Sequence, residues 1–223
     1  MMTNLFSIFD PSNNMNYSLN WLTTIMMLMF IPLSFWSTPS RLSMIWLKMF
    51  SKLNSEIKSI MGNSKESKSK LFIISLFTLI LLNNLLSMFP FIYPPTSQLA
   101  FSLSLALPVW LSLMVYSLTN NLIKFSAHLV PQNTPMPISP FMVLIETTSN
   151  IIRPITLSVR LSTNITAGHL IIELIGKMME SEEIMKKGAI IIMLLIHILE
   201  MMMAIIQAYV FSILATMYFK ETY

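Results

Sequence analysis

The 223-residue chain contains no cysteine, which excludes disulfide frameworks, thiolate metal sites, cysteine nucleophiles and iron–sulfur clusters. Glycine is scarce as well: four glycines against twelve prolines exclude collagen-like and glycine-rich repeats. Charged residues make up only 11% of the chain, whereas soluble domains average about 25%. The sequence also lacks a phosphate loop, a Gly-x-Ser-x-Gly motif and a dinucleotide fingerprint, and its three histidines show no metal-ligand spacing. We therefore expect no cofactor, no metal and no catalytic activity of the chain by itself.

The composition that remains is that of a membrane protein. Hydrophobic residues account for 54% of the chain, and the mean hydropathy is +0.67. Five stretches are apolar enough to enter a bilayer, and a sixth has apolar residues at helical spacing opposite a stripe of lysines. The predicted fold class is an all-α polytopic membrane protein with about five membrane-embedded helices and one interfacial amphipathic helix. We predict a single membrane domain over 1–223, with spans at 19–36, 71–89 and 98–118, the interfacial helix at 40–61, and a helical hairpin at 141–177 and 188–219.

The two hairpin segments are too long to stand upright in a bilayer. At 1.5 Å per residue they measure about 55 Å and about 48 Å, against a hydrocarbon core of about 30 Å. Either both helices are strongly inclined, or the first one breaks near Pro154. Between the spans, 120–140 reads as a proline-rich loop with a short helix at 122–130, and 178–187 as a charged turn.

The basic residues predict the orientation of the chain. Seven of the fourteen lie between 41 and 70, in one connection between apolar segments and without a nucleic-acid recognition motif. The positive-inside rule places this connection on the inner side. The N-terminus is then outside and the C-terminus inside, and we expect no nucleic-acid partner.

Charged and polar residues inside the hairpin raise the free energy of membrane insertion, so each of them is expected to have a structural or functional role. Glu146, Arg153 and Arg160 are spaced seven apart and share a helix face, and so do Glu200 and Gln207. An arginine keeps its proton, whereas glutamate and histidine can exchange theirs. This pattern indicates a proton pathway with a fixed positive barrier at Arg160. In a structural alternative, Arg160 bridges Glu146 or Glu200.

A second group of charges lies near the end of the first hairpin segment. His169 and Glu173 are four residues apart, as are Glu173 and Lys177. Residues at this spacing are neighbours on a helix surface. Glu173 is thus expected to contact one of these two side chains, and the pair with Lys177 is the favoured alternative.

Particular residues resemble those of a known family. The resemblance is to subunit a of the F-type ATP synthase, most nearly the mitochondrially encoded subunit of animals, also called subunit 6. It covers essentially the whole chain. The motifs that carry it are Glu146-Thr-Thr-Ser149-Asn150, Arg153-Pro154, Arg160-Leu-x-x-Asn164, Gly168-His169, and Glu200 followed by Gln207-Ala-Tyr-Val-Phe.

The resemblance implies a role for each of these residues. Arg160 would be the essential charge barrier that faces the carboxylates of a rotating ring of c subunits. His169 and Glu200 would line the half-channel from the intermembrane space, and Glu146 and Ser149 the half-channel to the matrix. Asn164 and Gln207 would be polar neighbours of the arginine.

The same resemblance implies partners and a location. The chain would be a stator subunit in the membrane sector, contacting the c-ring, the peripheral stalk, other membrane-sector subunits and the lipid bilayer, with protons as the transported ion. It would lie in the mitochondrial inner membrane, with the N-terminus toward the intermembrane space and the C-terminus toward the matrix. Two alternatives are a stand-alone transporter that binds an anionic solute at Arg160 and a scaffold subunit of a respiratory complex.

Overall fold

The architecture is that of a computed structural model, which describes residues 5–12, 18–32, 38–62, 67–89, 92–120, 125–126, 129–130, 135–181 and 186–222. Within these ranges the chain is helical and has no strand. Short 3₁₀ turns occupy Leu5–Phe9, Pro95–Ser97 and Met136–Ile138. The five long helices are α1 (Arg41–Met61), α2 (Ser67–Ser87), α3 (Leu99–Asn120), α4 (Ser139–Ser181) and α5 (Lys186–Thr222).

The predicted all-α membrane class is confirmed. Among the described residues, three helical stretches are long and apolar enough to cross a membrane: Ser69–Ser87, Leu99–Thr119 and Gly188–Lys220. α4 carries more charged residues than a simple span, since Glu146, Arg153, Arg160 and Glu173 all lie within it. The helix predicted at 122–130 falls largely outside the residues whose structure is described. Of the turn predicted at 178–187, only 182–185 lie outside them, since α4 continues to Ser181 and α5 begins at Lys186.

The N-terminal apolar segment is less regular than the other helices. Leu19–Leu22 and Met27–Phe30 are 3₁₀ turns on either side of a four-residue α-helix, Thr23–Met26. The hydroxyls of Thr23 and Thr24 donate to carbonyl oxygens three residues earlier, at 2.8 and 2.7 Å. Together these turns form a described helical stretch that ends at Phe30, and residues 33–36 of the predicted span lie outside the described part.

α1 is an amphipathic helix with defined ends. The Ser40 hydroxyl caps its N-terminus by accepting from the backbone N–H of Ser43 at 3.3 Å. At its C-terminus Gly62 adopts a positive φ of 68° and donates its N–H to the Lys58 carbonyl at 3.0 Å. Leu53 and Ile57 are buried, whereas the lysines of the helix are exposed.

α4 and α5 form the long hairpin without a break. With 43 and 37 residues, they measure about 65 Å and about 56 Å at 1.5 Å per residue. α4 continues through Pro154 without interruption. The predicted alternative of a break at that residue is therefore wrong. Pro154 is buried, and neighbouring helices make an intramembrane proline tolerable.

α5 lies at the centre of the bundle and contacts each of the other long helices. Small residues on its buried face allow this, because Ala204 and Ala208 let neighbouring backbones approach closely. α4 contributes the buried serines Ser158 and Ser162. The central apolar cluster comprises Leu53, Phe77, Ile80, Leu81, Ala106, Leu157, Leu161, Ala208 and Phe211.

Candidate functional site

Glu200 is a buried carboxylate in the middle of α5. Its residue is only 6% exposed, and neither carboxylate oxygen has a hydrogen-bond partner among the described residues. The carboxyl group packs on the backbone of Gly168 in α4. A Cβ atom at position 168 would lie 2.6 Å from Cδ of Glu200 and 2.9 Å from its Cγ. Only a glycine leaves room for this carboxylate.

His169 follows Gly168 and is thereby held at the same level of the α4–α5 contact. Its Nε2 atom is buried and has no hydrogen-bond partner among the described residues. The ring lies close to the backbone of Ser87 at the end of α2 and within electrostatic range of His197 in α5. The structure thus places His169 and Glu200, both predicted from the sequence, on adjoining turns of two packed helices.

Asn164, one turn before Gly168, and Gln207, two turns after Glu200, also join α4 and α5. Asn164 Nδ2 donates to Gln207 Oε1 at 3.2 Å. Gln207 is 4% exposed, and its own Nε2 has no partner among the described residues. The two side chains predicted to be polar neighbours of the arginine therefore contact each other directly.

Asn84 belongs to the same polar region, although the sequence analysis did not assign it to the site. It is fully buried in α2, and its Nδ2 donates to the backbone carbonyl of Ala204 at 3.3 Å. Its Oδ1 has no partner in the described part of the chain. Because Ala204 lies between Glu200 and Gln207 on α5, Asn84 bridges the level of the carboxylate and that of the amide pair. The sequence feature that could have indicated this role is the presence of an asparagine inside an apolar span.

Arg160 lies one turn before Asn164 and points outward. Its side chain is exposed, and no ion pair or hydrogen bond of its guanidinium occurs among the described residues. The structural alternative, in which Arg160 bridges Glu146 or Glu200, is therefore wrong. Glu146 contacts Arg153 instead, and the oxygens of Glu200 have no partner.

The residues near the start of α4 form a separate group. Glu146 Oε1 lies 3.9 Å from Arg153 Nη2, and both side chains are about one third exposed, at 36% and 32%. The Arg153 guanidinium also lies 5.5 Å from the centre of the Tyr218 ring in α5. Ser149 is half-buried, one turn after Glu146. Glu146 and Ser149 are thus not brought together with Glu200; fourteen residues of helix, about 21 Å, separate Glu146 from Arg160.

Glu173 lies one turn beyond His169 and pairs with Lys177, as favoured from the sequence. Its Oε1 lies 3.4 Å from Lys177 Nζ, whereas its Oε2 is buried without a partner in the described residues. The lysine side chain is 41% exposed and that of the glutamate 13%. This pair therefore connects the buried polar region with the outer surface of the bundle.

Together these groups form a run of buried polar atoms between α2, α4 and α5. From Glu173 the run passes His169, Glu200 and Asn84 and reaches Gln207. A buried polar atom without a protein partner is costly unless water or a proton satisfies it. Carboxylate, imidazole and amide groups in sequence suit proton movement, and no group of three potential metal ligands occurs among the described residues.

Comparison with known proteins agrees with the sequence resemblance. A family model described as the ATP synthase A chain matches residues 17–220. The ATP synthase subunit a of Anopheles quadrimaculatus is 47% identical over 99% of both chains. The subunit a of Locusta migratoria is 48% identical over the full length of both chains, and that of Drosophila melanogaster 47% identical over 99% of both.

Proposed function

Because the chain belongs to the ATP synthase A chain family, we propose that it is the proton-translocating stator subunit of a mitochondrial ATP synthase. In this role it provides two offset half-channels in the inner membrane and contacts the c-ring, the peripheral stalk and other membrane-sector subunits. ATP chemistry belongs to partner subunits. The observation that carries the proposal is the run of buried polar groups that approaches the exposed Arg160.

The uptake half-channel is assigned to the buried end of this run. Glu200 packs on the bare backbone of Gly168, and His169 is the next residue of α4. A proton released by the carboxyl group can then pass through water molecules that hydrogen-bond to the unpartnered amide atoms of Asn84 and Gln207. Each proton driven through carries about 2.3 kcal/mol per 100 mV of membrane potential.

Arg160 is assigned the role of a charge barrier at the surface of the bundle. Its guanidinium keeps its proton, so it cannot pass one on. A positive charge at this point favours the ionised form of a c-ring carboxylate and prevents protons from crossing directly between the half-channels. Its neighbours on the exposed face are Thr156, Thr163 and Ala167, small residues that let a partner helix approach closely.

The release half-channel is assigned to the opposite end of α4. Glu146 and Ser149 lie one turn apart there, both accessible enough to exchange protons with water. Glu146 lies about 21 Å from Arg160 along the helix, on the side away from Glu200. This separation supports two half-channels offset on either side of the arginine.

Two contacts agree with the relative placement of the N-terminus and the connections in the proposed topology. The backbone carbonyl of Phe9 accepts from Gln98 Nε2 at 2.8 Å, so the N-terminal segment and the α2–α3 connection meet at one end of the bundle. His169 contacts Phe9 at that same end. We infer that this end faces the intermembrane space and that α1 and the C-terminus are on the matrix side.

The test is Arg160→Ala in the assembled complex. Proton-driven ATP synthesis is expected to fall by at least about a hundredfold, the scale of losing one preorganised charge at a reaction centre. Hydrolysis of ATP by the soluble sector should persist. Arg41→Ala is the matched control, because it removes an exposed arginine from α1 and should leave synthesis unchanged.

Normal proton-driven synthesis by Arg160→Ala would refute the proposed role. No observation favours the alternatives of a stand-alone transporter or a scaffold subunit. The same pair of variants separates these alternatives from the proposal. A scaffold subunit, for example, would retain ATP synthesis in both Arg160→Ala and Arg41→Ala.

A further inference from the structure

The N-terminal segment 5–12 lies across the end of the bundle at which His169 is found. The rings of Phe9 and His169 are 6.4 Å apart and nearly perpendicular, at 78°. This edge-to-face arrangement is one of the preferred geometries for aromatic pairs. The described part of the segment also contacts α4 through the turn Leu5–Phe9.

Several hydrogen bonds hold this segment in place. Gln98 anchors the backbone of Phe9, as described above, and Asn20 Nδ2 donates to the Asp10 carbonyl at 3.3 Å. The backbone N–H and hydroxyl of Ser12 donate to the Asp10 carboxylate at 3.0 and 2.8 Å. These bonds lower the pKa of the exposed Asp10 carboxyl, so the chain carries a negative charge directly beside Phe9.

Phe9 differs from its nearest equivalent in the same turn. Phe6 precedes it by three residues, which places both on one side of a 3₁₀ helix. Phe6 is 69% exposed, whereas Phe9 is half-buried against the histidine. The contact with the histidine is therefore specific to Phe9 and does not reflect non-specific apolar packing of the whole turn.

Charged and titratable groups surround His169 on its other sides. Glu173 lies one turn away on α4, Glu200 of α5 packs on the preceding residue Gly168, and His197 of α5 is within electrostatic range. From α2 the backbone of Ser87 is close. Phe9 is the apolar group on the side of the N-terminal segment, and the pair of Glu173 and Lys177 lies on the side that reaches the outer surface.

We propose that Phe9 is a positioning residue for proton uptake, which fixes the His169 ring and closes one of its approaches to bulk water. With that approach closed, protons reach His169 along the side of Glu173 and Lys177. The inference rests on the proposed function of His169 in the uptake half-channel. It adds a part of the chain, the N-terminal segment, to that half-channel.

The first test compares Phe9→Ala with Phe6→Ala in the assembled complex. Phe9→Ala is expected to reduce proton-driven ATP synthesis about two- to tenfold, the change in population that corresponds to loss of one aromatic pair. Phe6→Ala should leave it unchanged. Gln98→Leu, which removes the anchor of the Phe9 backbone, should reproduce the loss, and Phe9→Tyr should restore most of the activity.

The second test measures access of water-borne reagents to the histidine. The parent chain has no cysteine, so a single Ile172→Cys change, one turn from His169, gives this subunit one reactive thiol. Labelling of that thiol by a membrane-impermeant methanethiosulfonate reagent, followed by mass spectrometry of this chain, should be severalfold faster with Phe9→Ala and unchanged with Phe6→Ala.

The outcomes distinguish this inference from the proposed function. Equal synthesis and equal labelling in Phe9→Ala and Phe6→Ala would overturn the role of Phe9, even if Arg160→Ala abolishes synthesis. If Arg160→Ala retains synthesis, the proposed function fails, and labelling alone then reports whether Phe9 covers the histidine. Should Phe9→Ala not assemble, Phe9→Leu and Gln98→Leu give the same comparison.

Discussion

At the scale of single residues, the site depends on a glycine as much as on its charged groups. Gly168 carries no chemistry, yet the Glu200 carboxyl occupies the volume that a side chain at 168 would fill. This close approach brings the carboxylate beside the turn of α4 that carries His169. The residue that positions the proposed proton carriers is thus the one with no side chain.

Gly168→Ala is therefore expected to displace the Glu200 carboxyl. The colliding atoms are the far end of a flexible side chain, so the helices should stay packed, at a cost of about 1–3 kcal/mol for overpacking. Assembly of the complex, measured by native electrophoresis, should be retained. Proton-driven ATP synthesis should fall severalfold because the carboxylate no longer lies in line with the buried polar groups.

Gly176→Ala is the control for this prediction. It lies two turns further along the same helix, and a Cβ atom there would meet nothing within 4 Å. Alanine should stabilise the helix by up to about 1 kcal/mol without affecting synthesis. If the two alanine variants synthesise ATP equally well, Gly168 has no positioning role.

At the scale of elements, α1 is attached to the bundle mainly by apolar packing. Leu53 and Ile57 are 8% and 3% exposed, and Leu53 belongs to the central cluster with Ala208 and Phe211 of α5. A hydrogen bond from the Tyr209 hydroxyl to Glu56 Oε2 at 3.0 Å also joins the two helices, but both groups are exposed. Exposed polar contacts contribute about 1 kcal/mol or less.

Truncating the two buried side chains should release α1 from α5. Leu53→Ala with Ile57→Ala is expected to destabilise this docking by about 2–5 kcal/mol per side chain, the usual cost of emptying a core position. The lysines of α1 should then be cleaved faster by trypsin in membranes that expose this surface.

Two comparisons check that interpretation. Tyr209→Phe should change the rate of cleavage little, and so should Ile45→Ala, since Ile45 is 65% exposed on the same helix. Faster cleavage in Tyr209→Phe than in the double variant would show that the polar contact, rather than the apolar face, holds the helix.

At the scale of the whole molecule, the contacts between segments show which of them lie at the same end of the bundle. The N-terminal segment meets the α2–α3 connection through Phe9 and Gln98, whereas the start of α4 meets the end of α5 through Arg153 and Tyr218. Connections separated by one crossing therefore lie at opposite ends of the bundle. With the five crossings predicted from the sequence, the two termini would lie on opposite sides of the membrane.

Thiol labelling tests the proposed direction. Because the chain is free of cysteine, Ser12→Cys and Ser55→Cys each introduce one reporter on an exposed residue. An impermeant reagent should label position 12 only from the intermembrane-space side and position 55 only from the matrix side. Inverted vesicles should show the reverse pattern in comparison with intact mitochondria stripped of their outer membrane. Labelling of both positions from one side would contradict the topology.

Much of the fold could be predicted because its signals are local. An apolar run of about twenty residues has to be a helix in a bilayer. In no other conformation can a single segment form all of its backbone hydrogen bonds within itself. The amphipathic pattern of α1 and the charge of 41–70 are likewise readable without any neighbour. The continuous course of α4 through Pro154 was not predictable, because its tolerance depends on what packs around the proline.

The features of the site also divide into those with a local signal in the sequence and those that depend on packing between helices. The sequence by itself determined which residues are candidates for carrying protons or fixed charge, because carboxylates, imidazoles and guanidiniums inside apolar helices are costly to insert and therefore conspicuous. Only the tertiary structure decided their partners: Glu146 with Arg153 rather than Arg160, Asn164 with Gln207, and Glu200 on Gly168. These contacts depend on the register between helices. That register is set by small buried residues such as Ala204 and Ala208, whose fit against α2 and α4 no single segment encodes.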